Sequence, residues 1–279
     1  MSETPQLIDQ DEGEYHSDHS RISHSMLEVF RKSPRLFQGR FLTKEWPGET
    51  SAALDFGKAA HALALESRKV YVPIPAEGVL NEQGHKKGAN WKAFEAANAG
   101  KILLKPDDVA QVEAMIAALR ATPLARDIVE SPARREVVIH WTDEATGIPM
   151  KCRIDVLRDN FDWVADMKTS RTIDQRMWAK QAHDIGYHRQ AALYCDAVKA
   201  ICKQLPKFYF VPMLKEPPYS VDVFELDETF MRLGQAENRL DLEELKKRAD
   251  ESDWSERGAG EVKIIRTPTF AERQFINSL

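Results

Sequence analysis

The sequence predicts one α/β domain in which helices cover a mixed β-sheet. The order of its periodic segments supports this: apolar residues first recur at helical spacing, the period changes to two near residue 136, and helices and strands then follow. With 279 residues, of which 43% are hydrophobic, the chain can bury one large core or two small ones. The alternative is an α+β arrangement with a separate helical N-terminal lobe.

The N-terminal part of the sequence predicts an acidic tail followed by helices. Residues 1–19 contain six acidic residues and no Lys or Arg, so we expect residues 1–13 to be disordered. A helix should begin near Ser23, which can cap it, and end before Pro34. Further helical spacing predicts helices over 51–67 and around 109–119, with a polar loop at 73–90 between them.

Residues 136–168 predict three antiparallel strands. EVVIHW (136–141), MKCRIDVL (150–157) and FDWVADMK (161–168) have a period of two and are separated by turn sequences. In the second strand, the alternation sets Ile154 and Val156 on one face and Arg153 and Asp155 on the other. Helices at 174–181, 186–203 and 227–250 and strands at 207–213 and 220–226 complete the expected order.

The amino-acid composition and charge favour some kinds of protein and disfavour others. A formal net charge of −5 is typical of an ordinary soluble protein, and a local basic patch would still allow DNA binding. Three cysteines without C-x-x-C spacing disfavour a disulfide framework and a zinc site. The sequence has no apolar run of roughly 20 residues and no basic N-terminal signal region, so we expect a cytoplasmic protein that does not bind membranes.

Two acids and a lysine meet on the predicted hairpin. Antiparallel pairing sets Asp155 across from residue 164 or 165, so its side chain should lie beside Asp166. Neighbouring carboxylates repel unless a cation lies between them, and Mg²⁺ prefers such oxygen ligands. Lys168 shares the face of Asp166, where it could orient or deprotonate a metal-bound water, or stabilise charge on a phosphate. The alternative is a surface hairpin with a simple carboxylate–lysine pair.

Asp155 and Asp166-Met167-Lys168 resemble the PD-(D/E)XK nuclease pattern, with Ile154 where that pattern has proline. Gln190-x-x-x-Tyr194 is similar to the Q-x-x-x-Y helix motif of the RecB-like branch, and Gly57-x-x-x-His61 is similar to its G-x-x-x-H helix. Five further segments resemble the RecE-type exonuclease (exonuclease VIII) domain: EYH (14–16), ISHSML (22–27), SPRLF (33–37), Glu136 with its strand, and TGIPMKCRID (146–155). The resemblance covers about residues 14–255, nearly the whole chain.

The resemblance implies a restriction-endonuclease-like core, a central mixed β-sheet flanked by helices in one domain. It places the exonuclease domain at 14–255, after the tail and before a C-terminal extension at 256–279. Glu136 either ligates a second metal ion or only begins its strand. The other implied roles are metal ligation by His61, Asp155, Asp166 and the Met167 carbonyl, positioning or activation of the attacking water by Lys168, and contact with DNA or Lys168 by Gln190 and Tyr194.

The resemblance also implies a Mg²⁺-dependent exonuclease, with Mn²⁺ as a substitute, that degrades double-stranded DNA ends 5′ to 3′ and processively. The remaining 3′ single strand would pass to a single-strand annealing protein. We expect a homo-oligomeric ring, with a tetramer favoured, in a bacterial host cell and encoded by a phage or prophage.

Four basic or aromatic residues are candidate DNA contacts. Arg153 could bind a phosphate or pair with Asp155. Lys86 and Lys87, in the basic segment 84–92, could follow the DNA backbone, or this segment could be a solvated loop. Trp91 either stacks on a base or anchors the loop.

Three other functions are alternatives to this one. A different RecB-like nuclease could cut single strands or act as an endonuclease; its iron–sulfur variants need four cysteines, and this chain has three. A catalytically silent DNA-binding subunit is disfavoured because all the expected site residues are present. A structural Ca²⁺-binding module is disfavoured because the sequence has no D-x-D-x-D-G loop.

Overall fold

The computed structural model describes residues 4–46, 48, 52–65, 70–75, 77–81, 86–262 and 264–267. Its strands are β1 (Gln6–Ile8), β2 (Tyr71–Pro73), β3 (Ile102–Leu104), β4 (Ala133–Thr142), β5 (Pro149–Arg158), β6 (Trp163–Ser170), β7 (Lys207–Leu214) and β8 (Phe224–Glu225). Its helices are α1 (Glu12–Ser17), α2 (His24–Lys32), α3 (Pro34–Phe37), α4 (Ala52–Leu65), α5 (Gly88–Ala97), α6 (Pro106–Ala121), α7 (Pro123–Glu130), α8 (Gln175–Asp184), α9 (Tyr187–Cys202) and α10 (Glu228–Glu251), and a π-helical turn, Gln38–Leu42, continues α3. Among these described residues, no helix has the length and apolar character needed to cross a membrane.

The central sheet is mixed and has six strands in the order β1–β4–β5–β6–β7–β8. The pairs β1–β4, β4–β5, β5–β6 and β7–β8 are antiparallel, so the predicted meander is present as β4–β5–β6. Strands β6 and β7 are parallel, and α8 and α9 form the crossover between them. The short β2 and β3 pair separately, in parallel.

Helices cover both faces of the sheet. On one face, α2, α3, α8, α9 and α10 enclose a cluster, hereafter the α9-side core, that includes Leu27, Ile154 and Phe208. On the other face, α4, α6 and α7 enclose the α4-side core, which includes Met115 and Met167. This three-layer arrangement confirms the predicted single α/β domain with a mixed sheet flanked by helices.

The alternation of side chains along β5 breaks at Asp155. Ile154 and Leu157 lie in the α9-side core, whereas Val156 lies in the α4-side core. The prediction that Val156 shares the face of Ile154 is therefore wrong. The register pairs Arg135 with Val156 and Val137 with Ile154, which sets Glu136 opposite Asp155, and Glu136 has a left-handed φ of 52°. That backbone conformation interrupts the regular pleat between the two strands.

The N-terminal segment also differs from its prediction. Residues Gln6–Ile8 form β1, with Leu7 paired to Ile139, and Asp11 caps α1 by accepting a hydrogen bond from the Glu14 amide at 2.9 Å. The expected disorder of residues 1–13 is wrong for these residues, while residues 1–3 lie outside the described part of the chain. The acidic composition conceals the apolar Leu7, which packs against the α9-side core.

The segment after α10 packs back onto the N-terminal helices. Trp254 stacks on Phe37, with ring centroids 5.6 Å apart, and Arg257 donates hydrogen bonds to the carbonyls of Phe30 and Arg31. The beginning of the predicted extension at 256–279 is thus attached to the domain, and residues 268–279 lie outside the described part.

Candidate active site

The candidate active site lies where β5 and β6 diverge. The ladder between the two strands comprises Val156 with Ala165 and Leu157 with Val164. At the next position the Met167 amide donates to Asp155 Oδ2 at 2.8 Å. The carboxylate thus takes the place of a backbone acceptor and is held between the strands, 7% exposed. As predicted, Asp155 and Asp166 occupy neighbouring strands.

Helix α4 brings His61 to this opening. The His61 Nδ1 lies 3.4 Å from Asp155 Oδ2, and its Nε2 lies 2.8 Å from the Met167 carbonyl oxygen. Ala59 and Ala60 are fully buried, so their small side chains let the helix approach the sheet closely. The structure therefore brings together three of the four predicted metal ligands, His61, Asp155 and Met167.

Glu136 joins the same group from β4. The candidate ligand atoms of His61, Glu136 and Asp155 all lie within 4.8 Å of one another. Glu136 is the fourth residue of β4, so it does not begin its strand. Its Oε2 lies 2.8 Å from Arg153 Nε, which brings the predicted DNA contact Arg153 to the edge of the site.

Asp166 and Lys168 form a buried ion pair beside this group. Lys168 Nζ lies 2.6 Å from Asp166 Oδ2, and the two side chains are 15% and 1% exposed. Burial raises the pKa of Asp166 to about 6, against the opposing effect of the Lys168 charge and with a further rise from Asp155. Burial alone would lower the pKa of Lys168, but the nearby Asp166, Tyr187 and Asp155 outweigh it and raise that pKa. Lys168 is therefore an ammonium at neutral pH.

Helix α9 forms the wall that faces the ion pair. Gln190 Nε2 donates to the Tyr194 hydroxyl at 2.9 Å, and burial, assisted by Asp166, raises the pKa of Tyr194 well above its ordinary value. Tyr187, at the start of the same helix, places its ring 4.7 Å from Lys168 Nζ. Sequence analysis did not identify this contact; the spacing of three residues between Tyr187 and Gln190 was the available signal.

A network of partly buried ion pairs fixes α9 in place. Arg189 donates from Nε and Nη2 to Glu28 of α2, at 2.7 and 2.9 Å, and from Nη1 to Glu237 of α10 at 2.9 Å. Asn238 of α10 also donates to the Arg189 carbonyl at 2.8 Å. The wall that carries Gln190 and Tyr194 is therefore anchored on both sides.

Among the described residues, two groups of side chains have spacing suited to a metal ion: His61, Glu136 and Asp155 form one, and His183, His188 and Glu237 form the other. A carboxylate of each group already has cationic partners: Glu237 Oε2 accepts hydrogen bonds from His188 and from the Arg189 guanidinium, and Glu136 Oε2 lies 2.8 Å from Arg153 Nε. The first group fits a divalent cation better, since it combines two carboxylates and an imidazole and has the Met167 carbonyl and Asp166 nearby. Carboxylate and carbonyl oxygens suit Mg²⁺, and the added imidazole nitrogen also suits Mn²⁺.

The remaining predicted DNA contacts lie on the segment around β2 and α5. Lys86 and Lys87 are exposed, whereas Trp91 is 8% exposed, and Lys86 Nζ lies 4.2 Å from the centroid of the Trp91 ring. This burial favours the anchoring role for Trp91, one of the two alternatives for that residue. Residues 84 and 85 of the basic segment lie outside the described part of the chain.

Two residues near the site escape sequence reasoning altogether. Glu12 of α1, placed by the sequence in the disordered tail, lies 2.8 Å from Lys58 of α4 and 3.8 Å from Arg153. Lys58 is three residues before His61, so the G-x-x-x-H motif itself pointed to its position on the helix. The partner Glu12 had no such signal, because its contacts are distant in sequence.

Comparison with known proteins identifies a family and a similar fold. A family model described as "PDDEXK-like domain of unknown function (DUF3799)" matches residues 23–268. The fold is similar to a crystal structure of a "Putative exonuclease" from Eubacterium rectale, with a TM-score of 0.65, 15% sequence identity, and coverage of 96% of this chain and 98% of that chain. No curated protein matches the sequence.

Proposed function

The chain belongs to the family of PDDEXK-like domains of unknown function DUF3799, and from this premise we propose that it is a nuclease that hydrolyses DNA phosphodiesters with the help of a divalent metal ion. The observation that carries the proposal is the meeting of Asp155, Asp166 and Lys168 where β5 and β6 diverge, beside His61 of α4. We propose Mg²⁺ as the ion, with Mn²⁺ able to replace it.

Each residue of the site has a part in the proposed hydrolysis. His61, Glu136, Asp155, Asp166 and the Met167 carbonyl would hold the ion. When bound, a divalent ion supplies hydroxide at neutral pH and neutralises charge on the phosphate. Lys168 is protonated because its pKa is raised, so it acts as a hydrogen-bond donor to the attacking water or to a phosphate oxygen rather than as a base.

The wall of α9 orients the lysine. Tyr187 presents its ring to the Lys168 ammonium, and a cation lying over an aromatic ring is stabilised there. The hydrogen-bonded pair Gln190 and Tyr194 lies on the same helix and closes this side of the site. Together these contacts limit the positions that the ammonium can adopt beside Asp166.

We extend the proposal to the substrate and the assembly. The resemblance to RecE-type exonucleases supports processive 5′ to 3′ degradation of double-stranded DNA ends, in a ring that is a tetramer. It also supports transfer of the 3′ strand to an annealing protein. The structural neighbour from Eubacterium rectale is itself described as a "Putative exonuclease", which favours an end-dependent activity.

One assay tests the activity and its class. Linear duplexes labelled at the 5′ or the 3′ end, closed circular duplexes, and single strands are incubated with Mg²⁺, with Mn²⁺, or with EDTA. We expect linear duplexes alone to be degraded, with the 5′ label released first and no reaction in EDTA. Degradation of closed circles would instead favour the endonuclease alternative, and no degradation of any substrate would favour the silent DNA-binding subunit.

Variants test the site. Asp155→Ala and Asp166→Ala should each abolish cleavage, because each removes a carboxylate from the opening between β5 and β6. Asp162→Asn is the control, since Asp162 immediately precedes β6, the strand that carries Asp166, but is exposed. Full activity in either alanine variant would show that the site is assigned wrongly.

A further inference from the structure

Glu12 of α1 lies across one edge of the candidate active site and contacts two cations. Its Oε1 is 2.8 Å from Lys58 Nζ, and its Oε2 is 3.8 Å from Arg153 Nη1. A third contact, from His16 Nε2 of the same helix, is 3.7 Å long. The N-terminal segment is thereby joined to α4 and β5, the two elements that carry His61 and Asp155.

The two cations lie next to the candidate metal ligands. Lys58 is three residues before His61 on α4, and residues at this spacing share a helix face. Arg153 is two residues before Asp155, and its Nε lies 2.8 Å from Glu136 Oε2. Both cations are within reach of solvent, because the side chain of Lys58 is 37% exposed and that of Arg153 is 18% exposed.

The Glu12 carboxylate meets these cations as a phosphate would. Each of its two oxygens faces a different cation, and phosphate oxygens bind lysine and arginine in the same manner. The contact with His16, followed by the hydrogen bond and charge of Lys58 and the charge of Arg153, outweighs burial and holds the pKa of Glu12 well below its usual range. Glu12 is therefore an anion at any pH at which the protein would act.

We propose that Lys58 and Arg153 form a binding site for a backbone phosphate of the DNA substrate, and that Glu12 occupies this site until DNA displaces it. The inference rests on the proposed function and states how the strand is held beside the metal ligands. Glu12 can leave readily, since it lies in the first turn of the six-residue α1 and its side chain is 40% exposed. The acidic N-terminal segment would then compete with DNA for the same two cations.

DNA binding without cleavage tests the proposal. Binding of a fluorescent linear duplex to the full chain is measured in EDTA over a range of salt concentrations. Glu12→Gln should bind about fivefold more tightly than the unaltered protein, the upper range for an exposed ion pair. Its plot of log affinity against log salt should keep about the same slope, because the same phosphate is neutralised once Glu12 has left.

Matched variants separate this competition from a general change of charge. Glu14→Gln removes the same charge from an exposed position of α1, and its affinity should equal that of the unaltered protein. Lys58→Gln should weaken binding, and in the Lys58→Gln background the gain from Glu12→Gln should fall by at least half. Thermal melting of each variant verifies that it is folded.

Opposite results would overturn the proposal. If Glu12→Gln binds DNA no more tightly than Glu14→Gln does, or if its gain persists without Lys58, Glu12 is a structural clamp and not a competitor. The cleavage assay on the unaltered protein is independent of this outcome. If the protein cleaves DNA but Glu12→Gln does not tighten DNA binding, only the proposed phosphate site is refuted. If Glu12→Gln tightens binding but the protein does not cleave DNA, only the proposed nuclease function is refuted.

Discussion

Removing one charge of the Asp166–Lys168 pair should destabilise the protein more than removing both. The two groups are 2.6 Å apart and their side chains are 1% and 15% exposed, so either charge left alone is buried without its counter-ion. Breaking such a pair costs about 3–5 kcal/mol, whereas its replacement by two uncharged groups is often neutral. We therefore expect Lys168→Met and Asp166→Asn each to lower the free energy of unfolding by that amount, and the double variant to recover most of the loss.

The loss in Lys168→Met should depend on pH. Burial raises the pKa of Asp166 from 3.8 to about 6, so the folded state binds this proton more tightly than the unfolded state. Such a group contributes stability at a pH below its unfolded pKa, and this contribution, about 3 kcal/mol here, is lost as the pH rises through about 6. Lys168→Met removes the charge that opposes the rise. Its cost should therefore be largest above about pH 6 and shrink as Asp166 becomes protonated.

Urea denaturation in EDTA, at about pH 5 and about pH 8, measures these free energies. The matched control is Lys180→Met, which breaks the exposed pair of Lys180 with Asp184 and should change the stability by less than about 1 kcal/mol. The reasoning would be refuted if Lys168→Met cost no more than the control at about pH 8, or if its cost grew towards about pH 5.

Two further predictions concern α9 and α10. Gly234→Ala should destabilise the protein, because the added Cβ would lie 2.3 Å from the His188 carbonyl oxygen. Gly57→Ala should stabilise it by up to about 1 kcal/mol, because in the described part of the chain, apart from the chain neighbours and the backbone of its own helix, no heavy atom lies within 4 Å of the added Cβ. Thermal melting compares the two variants, and equal shifts would contradict the packing of α9 on α10. Tyr187→Leu should slow the cleavage of linear duplexes, because it removes the ring that lies 4.7 Å from Lys168 Nζ, whereas Tyr187→Phe keeps the ring and should keep the rate. If the phenylalanine variant is as slow as the leucine variant, the effect belongs to the hydroxyl and not to the ring.

Local sequence patterns were sufficient to predict the strands that carry the candidate site. The period of two and the intervening turns place Asp155 and Asp166 on adjacent strands, and the structure has them there. The same patterns could not predict that Val156 changes faces, because the cause lies in the left-handed backbone of Glu136 on the neighbouring strand. Strict alternation is a property of a regular pleat, and the pleat is irregular at the site itself.

Contacts between distant parts of the chain were the other limit. The acidic composition around β1 predicts disorder, yet Leu7 pairs with Ile139, a residue far along the chain. For the same reason, the sequence did not indicate the contacts of Glu12. Tyr187 fits an apolar helix stripe, and only the parallel crossover from β6 to β7 sets its ring against Lys168.

The hydrogen bond from the Met167 amide to Asp155 makes one backbone proton a reporter of the site. In most of the sheet such protons are held by neighbouring backbone carbonyls, but this one depends on a side-chain carboxylate at 2.8 Å. A ligand that draws the carboxylate away should shift the resonance of this proton and speed its exchange with solvent. A single cross-peak in a nuclear magnetic resonance spectrum would thus follow occupancy of the site without any cleavable substrate.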